Sequence, residues 1–491
     1  MLRFSITETE VSNEDVLASG MLLSDFMCPR DGVLITPALG RPRGPPVTSL
    51  ASSAGYRSDT SMSIVDLCTG IGLVVGRVRD RSLISASESP ILVRSPRLEA
   101  PIPLARGKVS TVTADVIPFN RPYATGNELV YIDEAQRNYH LSGDGLFTKR
   151  CHRWIEERTG CAKALLTHSC TSALDLAALL LDIENGDEVI LPSYTFVSTA
   201  NAFVLRGAVP IFVDIREDTL NLDERLIESA ITPRTRAIVP VHYAGVSCEM
   251  DAIVAIAQRY NLWIVEDAAQ GVMASYKGRP LGAIGDIGCF SFHETKNVIS
   301  GEGGSLLLRD PNLVARAEVM REKGTDRSRF FRGEVDKYTW QDIGSSFLPS
   351  EIIAAFLWAQ FEEAERITIG RLAIWRRYHE LLAPLEQQGL LRRPIVPAEC
   401  QHNAHMYYIL LQSESWRRKV LAGFKENGID AVFHYVPLHS SPAGKRYGRA
   451  HADLPLTTSL SQRVVRLPMW LGLGEDQQQR IGEVLTAILS G

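Results

Sequence analysis

The feature that most constrains this chain is a regular alternation of short apolar runs with segments of helical spacing between residues 188 and 308. Runs that are apolar throughout, rather than at every second position, indicate strands buried on both faces of a sheet. Helices between such strands supply the crossovers that parallel pairing requires. The alternation therefore predicts an α/β fold with a mostly parallel sheet between helices. The predicted strands are Glu188–Leu191, Pro210–Val213, Ala237–Val241, Leu262–Asp267, Cys289–Phe292 and Ser305–Leu308, and the predicted helices are Val197–Leu205, Asp223–Ala230, Glu249–Tyr260 and Asn312–Lys323.

The chain divides into three parts by its sequence texture. Residues 1–115 are rich in Ser, Pro, Gly and Arg, a composition that cannot bury a core, and we expect a poorly ordered extension. Their one apolar segment, Ile64–Val78, carries glycines but lacks the helix and strand that would make a nucleotide site. A second hypothesis is that translation begins near Val109, Val112 or Val116, at a GTG codon. We expect residues 116–360 to form a large domain and residues 361–491 a smaller α+β domain.

Charge and cysteine usage exclude several classes of protein. The chain of 491 residues has 52 basic and 57 acidic residues, a balance that gives no reason to expect nucleic acid or an anionic membrane as partner. No apolar run reaches the roughly 18 residues of a membrane-spanning helix, and the N-terminus lacks the order of a secretory signal. The eight cysteines include no C-x-x-C pair, so we expect reduced thiols, no metal site and a cytoplasmic location.

Small hydroxyl residues precede the apolar helical stretch that ends at Leu181. Ser169, Thr171 and Ser172 would lie at a helix N-terminus, where backbone N–H groups and the helix dipole favour a phosphate. The same hydroxyls are also typical of simple helix caps. This motif alone leaves both interpretations open.

Two further clusters follow predicted strands. Tyr194 and Phe196 come after Glu188–Leu191 and could cover a flat ligand, although aromatic side chains in such places are more often packing. Glu266 and Asp267 end the predicted apolar strand Leu262–Asp267, where an unpaired charge is costly. One of these carboxylates could face a protonated pyridinium nitrogen, or both could serve in caps and ion pairs.

A lysine completes the pattern. Lys296 lies just beyond a predicted strand, between His293 and a glycine-rich loop, in an apolar setting that would lower its pKa and make it nucleophilic. Asp267 precedes it by about one supersecondary unit, so both can reach one ligand from neighbouring strands. A phosphate anchor, an aromatic face, a carboxylate and a reactive lysine together predict a site for pyridoxal 5′-phosphate (PLP).

Several long stretches carry a family resemblance: GDEVILPSYTFVSTANAFVLRGAVPIFVDI, VPVHYAGVSCEMD, VEDAAQGVMASYKGR, GCFSFHETKN and FFRGEVDKYTWQDIGSS. From about Val116 to its end the chain resembles the DegT/DnrJ-type sugar aminotransferases, which are fold-type I PLP-dependent transferases acting on nucleotide-linked keto sugars. The resemblance implies a homodimer whose active sites lie at the subunit junction. Within the family, these stretches are most similar to the members that make dTDP-4-amino-4,6-dideoxygalactose.

The resemblance also implies roles for individual residues. Lys296 would form the imine with the cofactor and carry the proton, and Asp267 would face the pyridine nitrogen. The remaining cofactor-binding residues would be Cys170, Thr171, Phe196, Gln270 and Ser291. The substrate-binding residues of the small domain would be His405, His434, Tyr435 and His439.

The implied reaction moves an amino group from L-glutamate to the 4-keto carbon of a dTDP-linked 4-keto-6-deoxy sugar, for surface polysaccharide synthesis. Another nucleotide-linked keto sugar, with different stereochemistry or a 3-keto group, is an alternative. A dehydratase of the same fold is disfavoured because that branch has histidine where this chain has Lys296. A non-catalytic regulatory protein is disfavoured because Lys296, Asp267 and Gln270 are all present.

Overall fold

The computed structural model describes residues 116–491, so the predictions made for residues 1–115 lie outside the described residues. In chain order the helices are α1 Glu128–Arg137, α2 Leu146–Thr159, α3 Cys170–Leu180, α4 Val197–Val204, α5 Ile227–Ala230, α6 Met250–Tyr260, α7 Val314–Arg321, α8 Arg327–Phe331, α9 Glu351–Glu362, α10 Ala364–Leu381, α11 Ala383–Gln387, α12 Glu414–Glu426, α13 Pro442–Tyr447, α14 Pro455–Ser461 and α15 Glu475–Ser490. The strands are β1 Lys163–Thr167, β2 Glu188–Pro192, β3 Val209–Val213, β4 Thr235–Ile238, β5 Trp263–Asp267, β6 Ser275–Tyr276, β7 Arg279–Pro280, β8 Ile287–Ser291, β9 Gly304–Leu308, β10 Leu391–Arg392, β11 Cys400–Gln401, β12 Tyr408–Leu411, β13 Arg449–Ala450 and β14 Val464–Arg466.

A large sheet forms the centre of the molecule, with strand order β1-β9-β8-β5-β4-β2-β3-β13. Neighbours are parallel from β8 to β13, whereas β9 is antiparallel to both β1 and β8. Apolar side chains on the two faces of the sheet pack into separate cores, one against α3 and α4 and another against α6. The predicted α/β class with a mostly parallel sheet is confirmed.

The C-terminal part of the chain builds a second, smaller sheet. Strands β10, β12 and β14 pair antiparallel, and α10, α12 and α15 supply side chains to the core beside them. Ile117, at the start of the described residues, joins this core and pairs with Ile429. The boundary at residue 360 stays a prediction, and α9 spans that position.

The predicted strands and helices reappear with shifted ends. The predicted strand Ala237–Val241 stops at Ile238, because Pro240 has no N–H to continue the ladder. The predicted helix Asp223–Ala230 begins as a 3₁₀ turn, with the Asp223 side chain accepting from the N–H of Arg225. The antiparallel direction of β9 was not predicted, since an apolar run carries no information about strand direction.

Two absences hold for residues 116–491. No helix there combines the length and the apolar character needed to cross a membrane. Within the same residues, no cluster of His, Cys, Asp or Glu has a geometry that could hold a metal ion.

Candidate active site

A pocket of about 290 Å³ opens where the parallel strands of the large sheet end. In α/β folds ligands bind beyond the carboxyl ends of such strands. One wall comes from the large sheet and α3, and we call it the sheet wall. The other comes from the C-terminal part of the chain, and we call it the C-terminal wall. The sheet wall includes Ser169, Cys170, Thr171, Phe196, Asp267, Gln270, Ser291 and Lys296, and the C-terminal wall includes His405, His434, Tyr435 and Arg466.

The N-terminus of α3 lies at one end of the sheet wall. Ser169 caps this helix, its hydroxyl accepting a hydrogen bond from the N–H of Ser172 at 3.1 Å, so the capping interpretation of Ser169 is confirmed. Thr171 shares a 2.7 Å hydrogen bond with Ser198 of α4. Gly304 permits the close approach of β9, because a Cβ there would lie 2.4 Å from the backbone N of Cys170. This helix terminus lines the pocket, and its backbone N–H groups are suited to bind a phosphate.

Asp267 lies at the end of β5, buried and held by two hydrogen bonds. Thr199 donates its hydroxyl to Oδ2 at 2.7 Å, and the N–H of Ala269 donates to Oδ1 at 3.2 Å. Thr199 is itself hydrogen-bonded to Thr195 at 2.7 Å. The carboxylate is thus oriented on the pocket wall without a basic side chain as partner among the described residues. A cation delivered by a ligand would complete it.

The neighbouring carboxylate, Glu266, points to the other side of β5 and does not reach the pocket. It is fully buried and accepts from His242 Nε2 at 2.8 Å and from three backbone N–H groups, those of Gly282, Ile284 and Gly285. Burial acts to raise the pKa of Glu266, but the hydrogen bonds from His242 and the backbone outweigh it and the pKa is lowered. Glu266 is therefore a structural carboxylate, and Asp267 is the one available to a ligand.

Lys296 follows β8 and is largely shielded from solvent in the same pocket. Burial lowers the pKa of its amine below the ordinary lysine value, although the nearby Cys170 and Asp267 act in the opposite direction. The amine has no hydrogen-bond or ion-pair partner within residues 116–491. A lysine with a lowered pKa is more often neutral, and the neutral amine is the nucleophile.

The other predicted cofactor residues also line the pocket. Gln270 accepts from the N–H of Ala244 at 2.7 Å and donates to the hydroxyl of Tyr435 at 3.1 Å, so it joins the two walls. Phe196 precedes α4 and is 57% exposed, with its ring 6.4 Å from that of Tyr435. Ser291 is the last residue of β8. An exposed aromatic ring at a pocket mouth is suited to cover a flat ligand.

Three of the four predicted substrate residues are brought to the pocket. His405 is buried and bonded to Asn297 at 3.2 Å, and His434 is stacked on Tyr435 and bonded to the hydroxyl of Tyr243 at 2.9 Å. Burial, aided by nearby positive charges, lowers the pKa of both imidazoles well below the usual histidine value. Both rings are therefore neutral at pH 7.

His439 is placed elsewhere. Its Nδ1 is 2.7 Å from the hydroxyl of Ser193, and it lines a neighbouring surface cavity that shares Tyr435 with the main pocket. The cause is the 3₁₀ turn Leu438–Ser440, whose backbone is hydrogen-bonded to Ser193 and which holds His439 beside that residue. Arg466 of β14 was not predicted as a site residue, because a single arginine before a Leu-Pro pair carries no motif.

These residues fit PLP. A largely buried amine without a partner suits an aldehyde, a hydrogen-bonded carboxylate suits a protonated ring nitrogen, and a helix N-terminus suits a phosphate. The strand-end arrangement brings all three into one cavity although they are far apart in the sequence.

The chain is similar to proteins of sugar metabolism. It is 32% identical to the spore coat polysaccharide biosynthesis protein SpsC of Bacillus subtilis, over 76% of this chain and 97% of that protein. It is 33% identical to the GDP-perosamine synthase of Caulobacter vibrioides, over 75% of this chain and 97% of that protein. Among solved structures it resembles Spr1654 of Streptococcus pneumoniae, described as a sugar aminotransferase and solved in its PLP form, with 25% identity, a TM-score of 0.70 and coverage of 76% and 99%.

Residues 122–486 match the DegT/DnrJ/EryC1/StrS aminotransferase family, a span that holds every residue of the pocket described above. The predicted family is confirmed by this match and by the two relatives of 32% and 33% identity. This chain belongs to the DegT/DnrJ/EryC1/StrS aminotransferase family.

Proposed function

We propose that this protein transfers an amino group from L-glutamate to the 4-keto carbon of dTDP-4-keto-6-deoxy-D-glucose. The product would be dTDP-4-amino-4,6-dideoxy-D-galactose, for surface polysaccharide synthesis in the cytoplasm by a homodimer. The observation that carries the proposal is the unpartnered amine of Lys296 in the same cavity as the hydrogen-bonded carboxylate of Asp267.

Pyridoxal 5′-phosphate is the cofactor, and when bound it supplies a protonated ring that accepts electrons from the reacting carbon. In the proposal, Asp267 holds the proton on the ring nitrogen, with Thr199 and Ala269 fixing the carboxylate. A negative charge placed where positive charge persists through the reaction stabilises the transition state. The N–H groups at the start of α3 bind the phosphate, with Cys170, Thr171 and Ser291 beside it.

Lys296 moves the proton between the substrate carbon and the cofactor. General base catalysis needs a pKa near the working pH, and burial lowers the pKa of Lys296 in that direction. Phe196 covers one side of the ring, and Gln270 ties that region to Tyr435. On the C-terminal wall, His405 and His434 are both neutral and can form hydrogen bonds with the hydroxyls of the sugar.

One observation favours a second candidate substrate. The relative from Caulobacter vibrioides, 33% identical to this chain, is named for a GDP-linked product. A GDP-linked 4-keto-6-deoxy sugar is therefore the second candidate, and the nucleotide is the point on which the two candidates differ.

The test is an assay of the purified protein with PLP, L-glutamate and a panel of dTDP-, UDP- and GDP-linked keto sugars. We expect the dTDP-linked 4-keto-6-deoxy sugar to give the highest kcat/KM, and NMR of the product to show an axial amine at C4. A preference for the GDP-linked sugar would favour the second candidate. Failure to aminate any sugar nucleotide would refute the proposed function.

A further inference from the structure

Arg466 is the pocket residue that neither its sequence context nor the proposed cofactor site explains. It ends β14, where its backbone is paired with Val432 and Tyr408. Its guanidinium lies over the ring of Phe119, 4.8 Å from the ring centroid, and lines the pocket. Its Nε is inaccessible to solvent and has no hydrogen-bond partner. No carboxylate pairs with Arg466 anywhere in residues 116–491.

Two other buried arginines among the described residues differ from Arg466, because each donates to a carbonyl oxygen or a carboxylate, although the Nε of Arg321 also lacks a partner. Arg371 donates to the carbonyl oxygens of Ala404 and His405, at 3.1 and 2.7 Å. Arg321 is bonded to Asp144 at 2.6 Å. Arg466 has neither a carbonyl nor an acid. A guanidinium that is shielded from water and has no acceptor for its N–H groups destabilises the folded protein, unless an anion binds there during function.

The groups around Arg466 do not substitute for that anion. The hydroxyls of Tyr194 and Tyr243 are bonded to the carbonyl oxygen and the ring of His434, at 3.2 and 2.9 Å. The Tyr435 hydroxyl already accepts from Gln270. His405 and His434 are neutral, because burial and the charges of Lys296 and Arg466 lower their pKa. Among the described residues, Arg466 is thus the fixed cation of the C-terminal wall.

We propose that Arg466 binds the carboxylate on the amine-bearing carbon of the amino donor. Guanidinium and carboxylate form two parallel hydrogen bonds, which fix orientation as well as position. The inference deepens the proposed function, on which it rests, by assigning the donor its own anchor on the wall opposite Asp267.

The position of Arg466 favours the donor over the diphosphate of the sugar nucleotide. Arg466 and Lys296 line the same cavity, and the positive charge of Arg466 contributes to lowering the pKa of the Lys296 amine. The carboxylate of an amino acid is attached directly to the carbon that must react beside Lys296. In a 4-keto sugar nucleotide the pyranose ring separates the reacting carbon from the diphosphate. A cation close to Lys296 therefore matches a carboxylate.

The test uses the full-length protein with PLP bound and glutarate, a dicarboxylate without an amine, as the probe. Isothermal titration calorimetry gives its Kd for the unaltered protein and for Arg466→Met, Arg466→Lys and the control Arg418→Met, an exposed arginine outside the pocket. A hydrogen-bonded charge pair is worth about 1.5–3 kcal/mol, so we expect Arg466→Met to weaken glutarate binding roughly 10- to 100-fold. The Kd of Arg466→Lys for glutarate should lie between these values, since lysine keeps the positive charge but not the planar guanidinium.

The same variants are titrated with dTDP, whose affinity we expect to stay within about twofold, an effect too small for a lost charged hydrogen bond. No measurable binding of glutarate to the unaltered protein, equal glutarate affinity in Arg466→Met, or a loss of dTDP affinity instead, would overturn the inference. The proposed function fails separately, if the unaltered protein aminates no sugar nucleotide. Thermal melting of each variant shows whether it is folded. If Arg466→Met is not folded, the glutarate affinity of Arg466→Lys decides whether Arg466 binds the carboxylate.

Discussion

The two walls of the pocket differ in how their charged groups are held. On the sheet wall, Asp267 has a fixed orientation, because Thr199 and the backbone of Ala269 hydrogen-bond both carboxylate oxygens. On the C-terminal wall, Arg466 has a shielded Nε and no acceptor among the described residues. The protein itself fixes the orientation of the Asp267 carboxylate, whereas it supplies no acceptor for the guanidinium of Arg466. We infer that the sheet wall holds the resident cofactor and the C-terminal wall receives substrates that come and go.

The difference follows from the elements that build each wall. The sheet wall is formed by the ends of parallel strands and by α3, whose backbone groups are fixed by the sheet. The C-terminal wall is formed by the end of β14 and by connecting segments that carry His405, His434 and Tyr435. A cofactor that stays bound benefits from preorganised partners, whereas two successive substrates need a surface that accepts different groups.

The largest expected effect tests the sheet wall at Lys296. Replacing Lys296 with Ala removes the proton carrier, so we expect the rate of transamination to fall by about 10³-fold or more. The rate of product amine formation measures it, and absorbance after dialysis shows whether PLP is retained without a covalent link. Lys425→Ala, a change of an exposed lysine on α12, is the control. Near-normal turnover of Lys296→Ala would show that Lys296 does not carry the proton and that the sheet wall does not hold the reactive group.

A smaller effect is expected at the carboxylate of the same wall. Asp267→Asn keeps the shape and loses the charge that would hold the ring nitrogen protonated, so kcat should fall by about 10²-fold. Single-turnover kinetics with glutamate measures the loss, and Asp476→Asn, an exposed residue of α15, serves as control. A variant that loses PLP affinity but keeps its single-turnover rate when saturated would show that Asp267 only binds the cofactor.

The smallest effect links the two walls through pH. The charge of Arg466 contributes to lowering the pKa of Lys296, so removing it in Arg466→Met raises that pKa. A smaller fraction of the amine is then neutral at any given pH, so the pH at which cofactor-free protein captures PLP at half its maximal rate should move upward. Absorbance kinetics across pH measures the shift, and Arg418→Met should leave it unchanged. If the pH of half-maximal PLP capture in Arg466→Met stays the same or falls, the charge of Arg466 does not lower the pKa of Lys296.

Much of the site could be predicted from the chain alone. Lys296 and Asp267 follow apolar runs that indicate buried strands, and such strands end at one edge of a parallel sheet. Cys170, Thr171, Phe196, Gln270 and Ser291 came with the family resemblance, and the structure places all of them around one cavity. Their roles stay predictions until the variants above are measured.

Other features could not be predicted. The choice between Glu266 and Asp267 depends on which face of β5 meets Gly282, Ile284 and Gly285, since adjacent residues of a strand point to opposite faces but the pattern does not say which face is which. His439 was expected among substrate ligands, and its turn places it beside Ser193 instead.

The sequence by itself determined the α/β class, the family and the lysine–aspartate pair, because these depend on local periodicity and on short motifs. Only the tertiary structure decided that Arg466 lies in the pocket without a partner. The physical reason is that a charge is paired or unpaired according to groups that are distant in the chain. Phe119 and Tyr243, which are near Arg466 in space, lie hundreds of positions before it in the sequence.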